Sequence, residues 1–281
     1  MASLIEQQLR ERAQALLDEG SVELFLGYRQ GSRSLRVAPF AARSSSETER
    51  LVWNAACVPN LAGTLHKYAG QRIGVALKMC DAHSVIQLLR FNQIRRDELY
   101  VIGVVCHGMA DAERIAATDA DTITLWDPAT ERPTLGPDQL LDKCVSCTQP
   151  VPDLYDELLG RVATAPPETK NERLADIQML EAMDAPTRRA FWQEQLSKCT
   201  LCYACQAACP LCFCKQCALS LERSDPRRQT RDMGAIFTYH VMRAYHLTER
   251  CTGCNECERV CPEDIPLSLI TQKLEQDREQ R

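Results

Sequence analysis

Residues 199–210 read Cys-Thr-Leu-Cys-Tyr-Ala-Cys-Gln-Ala-Ala-Cys-Pro, and residues 251–262 read Cys-Thr-Gly-Cys-Asn-Glu-Cys-Glu-Arg-Val-Cys-Pro. Both stretches follow the pattern C-x2-C-x2-C-x3-C-P, in which three closely spaced thiolates bind three irons of one [4Fe-4S] cube. The fourth cysteine of each stretch usually binds the other cube of the pair. The pattern therefore predicts two clusters with crossed ligands, which are Cys199, Cys202, Cys205 and Cys261 for cluster 1 and Cys251, Cys254, Cys257 and Cys209 for cluster 2.

The composition is that of a globular protein with room for two domains. The chain has 281 residues, of which 45% are hydrophobic and 25% are charged, and its net charge is −5. The negative charge gives no reason to expect nucleic acid as a partner. No apolar run approaches a membrane span and no signal peptide is evident, so a cytoplasmic location is expected. In a reducing compartment, the sixteen cysteines are metal ligands rather than disulfides.

Strand and helix patterns alternate in the first half of the chain. The predicted strands cover residues 22–28, 72–78 and 99–105, with a possible further strand at 123–126. The predicted helices cover residues 3–19, 48–57, 60–69 and 84–90, and residues 39–46 have the composition of a loop. This alternation predicts an α/β domain with a short, mostly parallel sheet over residues 1–165. Cys80 and Cys106 each follow a strand, where functional groups of such sheets gather.

The second half is predicted to be mainly α-helical. Proline-rich residues 149–170 indicate a linker, and residues 171–196 have a helical pattern with a cap and restart at Asp184. The 41 residues between the two cysteine motifs contain a helical pattern with one apolar face, formed by Ile236, Phe237, His240, Val241 and Ala244. Residues 166–281 are therefore expected to form an α-helical dicluster ferredoxin domain with a cysteine-bearing insert.

Three further motifs carry a resemblance to a known family. They are Cys80-Asp81 after a strand, residues 102–109 (Ile-Gly-Val-Val-Cys-His-Gly-Met), and Cys144-Val-Ser-Cys147 followed by Pro152-Asp153. With these motifs the chain resembles the beta-subunit family of coenzyme F-420 hydrogenases and dehydrogenases, which includes formate dehydrogenase beta subunits. Its C-terminal part resembles the α-helical ferredoxin modules of heterodisulfide-reductase-type subunits.

The resemblance implies a cluster in the α/β domain and partner subunits. Mapped onto this sequence, the family's ligands for cluster 3 are Cys80, Cys106, Cys144 and Cys147. The implied partners are a catalytic oxidoreductase subunit and a flavin- or ferredoxin-handling subunit. Flavin-binding members have a Ser-Gly-Gly-type turn before the first strand, whereas this sequence begins after that point. FAD is therefore possible but not expected.

Four cysteines remain once these three sets are assigned. Cys57, Cys212, Cys214 and Cys217 would complete a fourth [4Fe-4S] cluster, so that every cysteine of the chain is a ligand. Cys57 could instead be a small buried hydrophobic residue. Zinc is the alternative for part of this group, because Cys144, Cys147, Cys214 and Cys217 would make a four-cysteine tetrahedral site.

Clusters with four cysteine ligands have no open iron for a substrate. We therefore expect an electron-transfer subunit of a multi-subunit oxidoreductase of the formate dehydrogenase, hydrogenase or heterodisulfide-reductase-like type, relaying single electrons through several [4Fe-4S] clusters, with no catalytic residue of its own. The alternative is a flavin-containing subunit that itself oxidises or reduces a deazaflavin or a nicotinamide cofactor.

Overall fold

The computed structural model describes residues 3–33, 35–116, 127, 132–145, 147–162, 172–215, 217, 219 and 232–279. The chain divides into two compact units, Met1–Lys170 and Asn171–Arg281. The possible strand at 123–126 lies outside the described residues. Among the described helices, none combines the length and the apolar character needed to cross a lipid bilayer.

The first unit is built around a six-stranded sheet. Its strands are β1 (Leu24–Gln30), β2 (Val37–Ala42), β3 (Leu51–Val52), β4 (Ile73–Leu77), β5 (Leu99–Val104) and β6 (Glu157–Leu159). They lie in the order β2-β1-β4-β5-β6, and β3 also pairs with β1. The pairings β1–β4, β4–β5 and β5–β6 are parallel, whereas β2 and β3 run antiparallel to β1. The prediction of a short, mostly parallel sheet is confirmed.

Helices cover this sheet and connect its strands. They are α1 (Leu4–Asp18), α2 (Ala62–Leu65), α3 (Met79–Arg90), α4 (Ala112–Ala116) and α5 (Asp142–Val145). The five residues of β4 are all buried, as expected for a strand covered on both faces. Glycine is required inside β4, because a Cβ atom on Gly74 would lie 2.5 Å from Cδ2 of Phe25. The sheet is thus packed closely enough to fix the residues that follow β4 and β5.

Two local predictions in this unit are wrong. The predicted helix over 48–57 is instead a short 3-10 turn, Ser45–Arg50, followed by strand β3. Tertiary contacts override helix propensity there, since Leu51 pairs with β1 and the Trp53 amide donates to the Glu6 carboxylate. The predicted loop over 39–46 contains most of strand β2. Pro39 is tolerated in that strand because β2 lies at the edge of the sheet.

All the regular secondary structure in the described residues of the second unit is helical. Its helices are α6 (Glu172–Ala182), α7 (Ala185–Ser197), α8 (Ala204–Ala208), α9 (Met233–Leu247), α10 (Glu256–Arg259) and α11 (Leu267–Glu279). Asp184 caps α7 by accepting a hydrogen bond from the Thr187 amide, as the cap-and-restart pattern predicts. The core is formed by Leu196, Leu201, Cys205, Ile236, Tyr239, Ile265 and Leu267. The prediction of a mainly helical second domain is confirmed.

One helix of this unit presents a different face from the predicted one. Ile236, His240 and Ala244 of α9 are buried, whereas Phe237 and Val241 are exposed. The buried face instead includes Tyr239 and Arg243. The sequence pattern therefore identified the helix but assigned part of its apolar surface to the wrong side.

Candidate iron–sulfur centres

The two cysteine motifs fold into loops with the same backbone conformation. Leu201 and Tyr203 have φ values of 50° and 61°, and the matching residues of the second motif, Gly253 and Asn255, have φ values of 64° and 54°. These left-handed residues turn the chain tightly around each group of three cysteines. A short helix then follows the left-handed turn in each loop, α8 after Tyr203 and α10 after Asn255. The repeated sequence pattern therefore corresponds to a repeated structure.

The structure brings together the four cysteines predicted for cluster 1. Cys199, Cys202 and Cys205 line one cavity with Cys261, the last cysteine of the second motif. Tyr203 and Ile265 line the same cavity and give it apolar walls. The four cysteines predicted for cluster 1 therefore share one cavity, and their crossed ligation of a cube stays a prediction.

The four cysteines predicted for cluster 2 are also neighbours. The pKa of Cys251 is raised to about 12, mainly by burial, and the nearby Cys254 and Cys209 thiols contribute to the increase. Burial also raises the pKa of Cys257, with a smaller contribution from Cys209 and Cys254. Thiols this strongly buried become ligands only when a metal displaces their protons, and metal binding would supply that compensation.

One face of α9 lines the cysteine sites with polar side chains that the motif analysis did not assign. His240 Nε2 lies 3.2 Å from Cys199 Sγ, and Tyr239 Oη lies 3.5 Å from Cys205 Sγ. Arg243 donates from Nη2 to the Cys205 carbonyl oxygen at 3.0 Å. Burial and the adjacent Arg243 lower the pKa of His240 to about 4, so its imidazole is neutral near pH 7. Hydrogen bonds to cluster sulfurs are a recognised control of reduction potential.

Arg243 is a buried cation between the two sets of cysteines. Arg243 is only 5% exposed to solvent. Burial opposes its charge, but the surrounding thiols of Cys257, Cys209 and Cys205 raise its pKa overall. The guanidinium therefore stays protonated and offsets part of the negative charge that thiolate ligands would bring into this core.

In the first unit, the four cysteines predicted for cluster 3 converge at the carboxyl ends of the strands. Cys80 lies in the first turn of α3, directly after β4, and Cys106 follows β5. Burial raises the pKa of Cys106, and the neighbouring Cys144 and Cys80 thiols raise it further. Cys147 is close to Cys144, whose carbonyl oxygen accepts a hydrogen bond from the Cys147 amide at 3.2 Å. The same four residues that the resemblance implies are therefore grouped in space.

A buried ion pair lies directly beside this group. The Lys78 ammonium is 2.8 Å from Oδ2 of Asp81 and 3.1 Å from the Pro59 carbonyl oxygen, and it also donates to Tyr28 Oη at 2.5 Å. Lys78 and Asp81 are 1% and 0% exposed. Burial raises the pKa of Cys80 to about 12; of the two charges in the pair, the Asp81 carboxylate also raises it and the Lys78 ammonium lowers it by less. Motif reading singled out Asp81 but missed Lys78, which precedes the cysteine by two residues.

The cysteines predicted for cluster 4 do not all share one environment. Cys57 is completely buried in the first unit, and its Sγ donates to the Val52 carbonyl oxygen at 3.6 Å. Burial raises its pKa to about 12. These surroundings favour the alternative that Cys57 is a small buried hydrophobic residue. Cys212, Cys214 and Cys217 lie in the second unit and line one cavity.

Single-ion sites are not formed by these residues. Within the described ranges, no three His, Cys, Asp or Glu side chains are arranged to hold one metal ion. Ligands of a cube each bind a different iron, so their sulfurs lie further apart than the roughly 4 Å between thiolates around one zinc ion. The zinc alternative draws Cys144 and Cys147 from one unit and Cys214 and Cys217 from the other, and it stays a prediction.

The chain is similar to several known proteins. Residues 195–265 match the 4Fe-4S dicluster domain family. The F420-dependent formate dehydrogenase subunit beta of Methanocaldococcus jannaschii is 24% identical, over 92% of this chain and 86% of that protein. The F420-dependent formate dehydrogenase 1 subunit beta of Methanococcus maripaludis is also 24% identical, over 75% of this chain and 73% of that protein. The chain is a relative of these beta subunits.

The predicted resemblance to the beta-subunit family is thereby confirmed, and so is the dicluster domain. A solved structure of the F420-reducing [NiFe] hydrogenase complex from Methanosarcina barkeri is also similar, with a TM-score of 0.42 and 12% identity. The similar region covers 55% of this chain and 66% of the hydrogenase chain.

Proposed function

We propose that this relative of formate dehydrogenase beta subunits is an iron–sulfur electron-transfer subunit that holds three [4Fe-4S] clusters at the cysteine sets described above. The observation that carries the proposal is the convergence of each motif's first three cysteines with the last cysteine of the other motif. When bound, such clusters supply one-electron transfer at potentials set by the surrounding protein.

The residues around the two dicluster sites are suited to this role. Cysteines supply every proposed ligand, so the sites offer no protein-defined open position for a substrate. Leu201, Tyr203 and Ile265 form apolar walls at the first site, and such walls limit water access and help set the potential. His240 and Tyr239 direct polar groups at ligand sulfurs, while Arg243 supplies a buried positive charge.

We also propose that the chain acts within a complex that oxidises or reduces a small substrate, as the relatives named as formate dehydrogenase subunits do. The partners would be a catalytic oxidoreductase subunit and a flavin- or ferredoxin-handling subunit. An electron-transfer protein needs a donor and an acceptor, which partner subunits would supply. Cys80, Cys106, Cys144 and Cys147 would hold a cluster in one unit, with the two dicluster sites in the other.

The test is anaerobic purification of the full chain, followed by iron and sulfide analysis and potentiometric titration monitored by electron paramagnetic resonance. We expect one-electron reductions with the spectra of [4Fe-4S] clusters. The Cys254→Ala and Cys80→Ala variants should each lose a different set of signals. Redox-silent iron, or stoichiometric flavin with catalytic turnover of a deazaflavin or nicotinamide by the isolated chain, would contradict the electron-relay proposal.

Gentle purification from the native source tests the second part of the proposal. We expect a catalytic oxidoreductase subunit to be recovered in stoichiometric amounts. Recovery of the chain alone, with clusters intact and fully reducible, would count against a permanent complex.

A further inference from the structure

Three cysteines of the second unit line a cavity that neither dicluster site uses. Cys212, Cys214 and Cys217 border a space of about 230 Å³, together with Arg243, His246 and Arg250. A water molecule takes up about 30 Å³ in the liquid, so this space is larger than a packing defect. Three soft cysteine ligands and two arginine cations around one cavity are suited to an anionic metal–sulfur group.

The backbone places the first two cysteines of this trio on the cavity side. Cys212 and Cys214 both line the cavity, whereas Phe213 between them packs beneath the Arg250 guanidinium, 4.9 Å from the ring centroid. Residues two apart in non-helical chain commonly project to the same side. The contact between Arg250 and Phe213 therefore helps to hold both thiols toward the same space.

The fourth position has a candidate on α9. His246, in the last turn of that helix, lines the same cavity as the three cysteines. Imidazole is an established iron ligand in some iron–sulfur centres, where it raises the reduction potential. Cys57, in contrast, is completely buried in the first unit and has a hydrogen-bond acceptor in the Val52 carbonyl oxygen.

We propose that Cys212, Cys214, Cys217 and His246 hold a further [4Fe-4S] cluster within the second unit. This inference rests on the proposed iron–sulfur function but names a site outside the dicluster motifs. It also replaces Cys57 as the fourth ligand. The Cys212 amide donates a hydrogen bond to the Cys209 carbonyl oxygen at 3.2 Å. The further cluster would thus lie beside the second set of dicluster ligands.

The decisive variant is the Cys214→Ala/Cys217→Ala double substitution, because it leaves Cys212 beside Cys209 untouched. In the anaerobically prepared full chain, we expect this variant to lose about four irons and four sulfides per chain relative to the wild-type protein. The signals that depend on Cys254 and Cys202 should remain. Circular dichroism checks that the helical unit is still folded.

Two further variants test the fourth ligand. Cys57→Ala should keep the wild-type iron content. His246→Cys should keep the iron and shift one midpoint potential downward, since thiolate replaces imidazole, while the other midpoints stay unchanged. His246→Ala should weaken or lose the same signal that the double variant loses.

Four results would overturn the inference. They are an unchanged iron content in the double variant, a loss of zinc instead of iron, a loss of the same four irons in Cys57→Ala, and potentials unaffected by His246→Cys. Failure of the proposed function is distinguishable, because in that case the Cys202→Ala and Cys254→Ala variants would also leave the iron content and the redox titration unchanged.

Discussion

Replacement of Arg243 by methionine tests whether the buried face of α9 sets the reduction potential of the dicluster domain. The substitution removes a positive charge from a residue that is 5% exposed and bonded to the Cys205 carbonyl oxygen at 3.0 Å. Methionine keeps the length of the side chain and its packing. Reduction adds a negative charge to a cluster, so loss of a nearby cation should lower the potential.

The size of the shift follows from burial and proximity. At an effective dielectric constant of about 20 and a separation of roughly 6 Å, a unit charge and one added electron interact by about 3 kcal/mol. A tenfold change in a one-electron equilibrium corresponds to about 59 mV and about 1.4 kcal/mol. The expected decrease is therefore on the order of 100 mV for the cluster nearest Arg243.

The assay is a potentiometric titration of the anaerobic full chain, monitored by electron paramagnetic resonance, with iron content measured in parallel. Arg243→Lys should shift the potential less than Arg243→Met because the charge is kept. Arg278→Gln, in the same unit but paired with Glu275 on an exposed part of α11, should leave it unchanged. An unchanged potential in Arg243→Met with full iron content, or an equal shift in Arg278→Gln, would refute the electrostatic reasoning.

Three other predictions concern packing and ligation. Lys78→Met should lower the free energy of unfolding of the first unit by about 3–5 kcal/mol, because it leaves the Asp81 carboxylate buried without its cation. A denaturant titration measures this change, and a Lys78→Met/Asp81→Leu double variant should recover part of the lost stability. Gly74→Ala should cost about 1–3 kcal/mol through the clash with Phe25, and a Phe25→Leu background should reduce that cost. Cys209→Ser should alter the spectrum of the cluster that depends on Cys254 and leave the one that depends on Cys202, whereas the reverse pattern would exclude crossed ligation.

The sequence predicted most reliably what short-range spacing determines. Each group of three motif cysteines lies within seven residues, which one tight loop can bring together, whereas the binding of two cubes by the eight motif cysteines stays a prediction. Strands β4 and β5 were recognisable as continuous apolar runs. The grouping of Cys80 and Cys106 with Cys144 and Cys147 came from family resemblance, since no local pattern links residues so far apart.

Long-range contacts account for what the sequence did not predict. Strand β2 was missed because Pro39 is typical of a loop, and only its position at the sheet edge makes a strand possible there. The helix predicted over residues 48–57 is not formed, because Leu51 pairs as a strand residue with β1. On α9, Tyr239, His240 and Arg243 were not identified as neighbours of the cysteines, because their partners Cys199 and Cys205 lie 34 to 41 residues earlier in the chain.

The two ferredoxin-type loops show how packing can replace backbone preference. The second loop has Gly253 and Asn255 at its left-handed positions, the residue types that adopt this conformation most readily. The first loop has Leu201 and Tyr203 at the matching positions, where a left-handed backbone costs roughly 1–2 kcal/mol per residue. Leu201 is 4% exposed in the hydrophobic core, and the Tyr203 ring packs against Tyr239 with 5.2 Å between centroids. Because full burial of such side chains contributes about 1.5–3 kcal/mol each, packing of Leu201 and Tyr203 against the core offsets the backbone strain of the first loop.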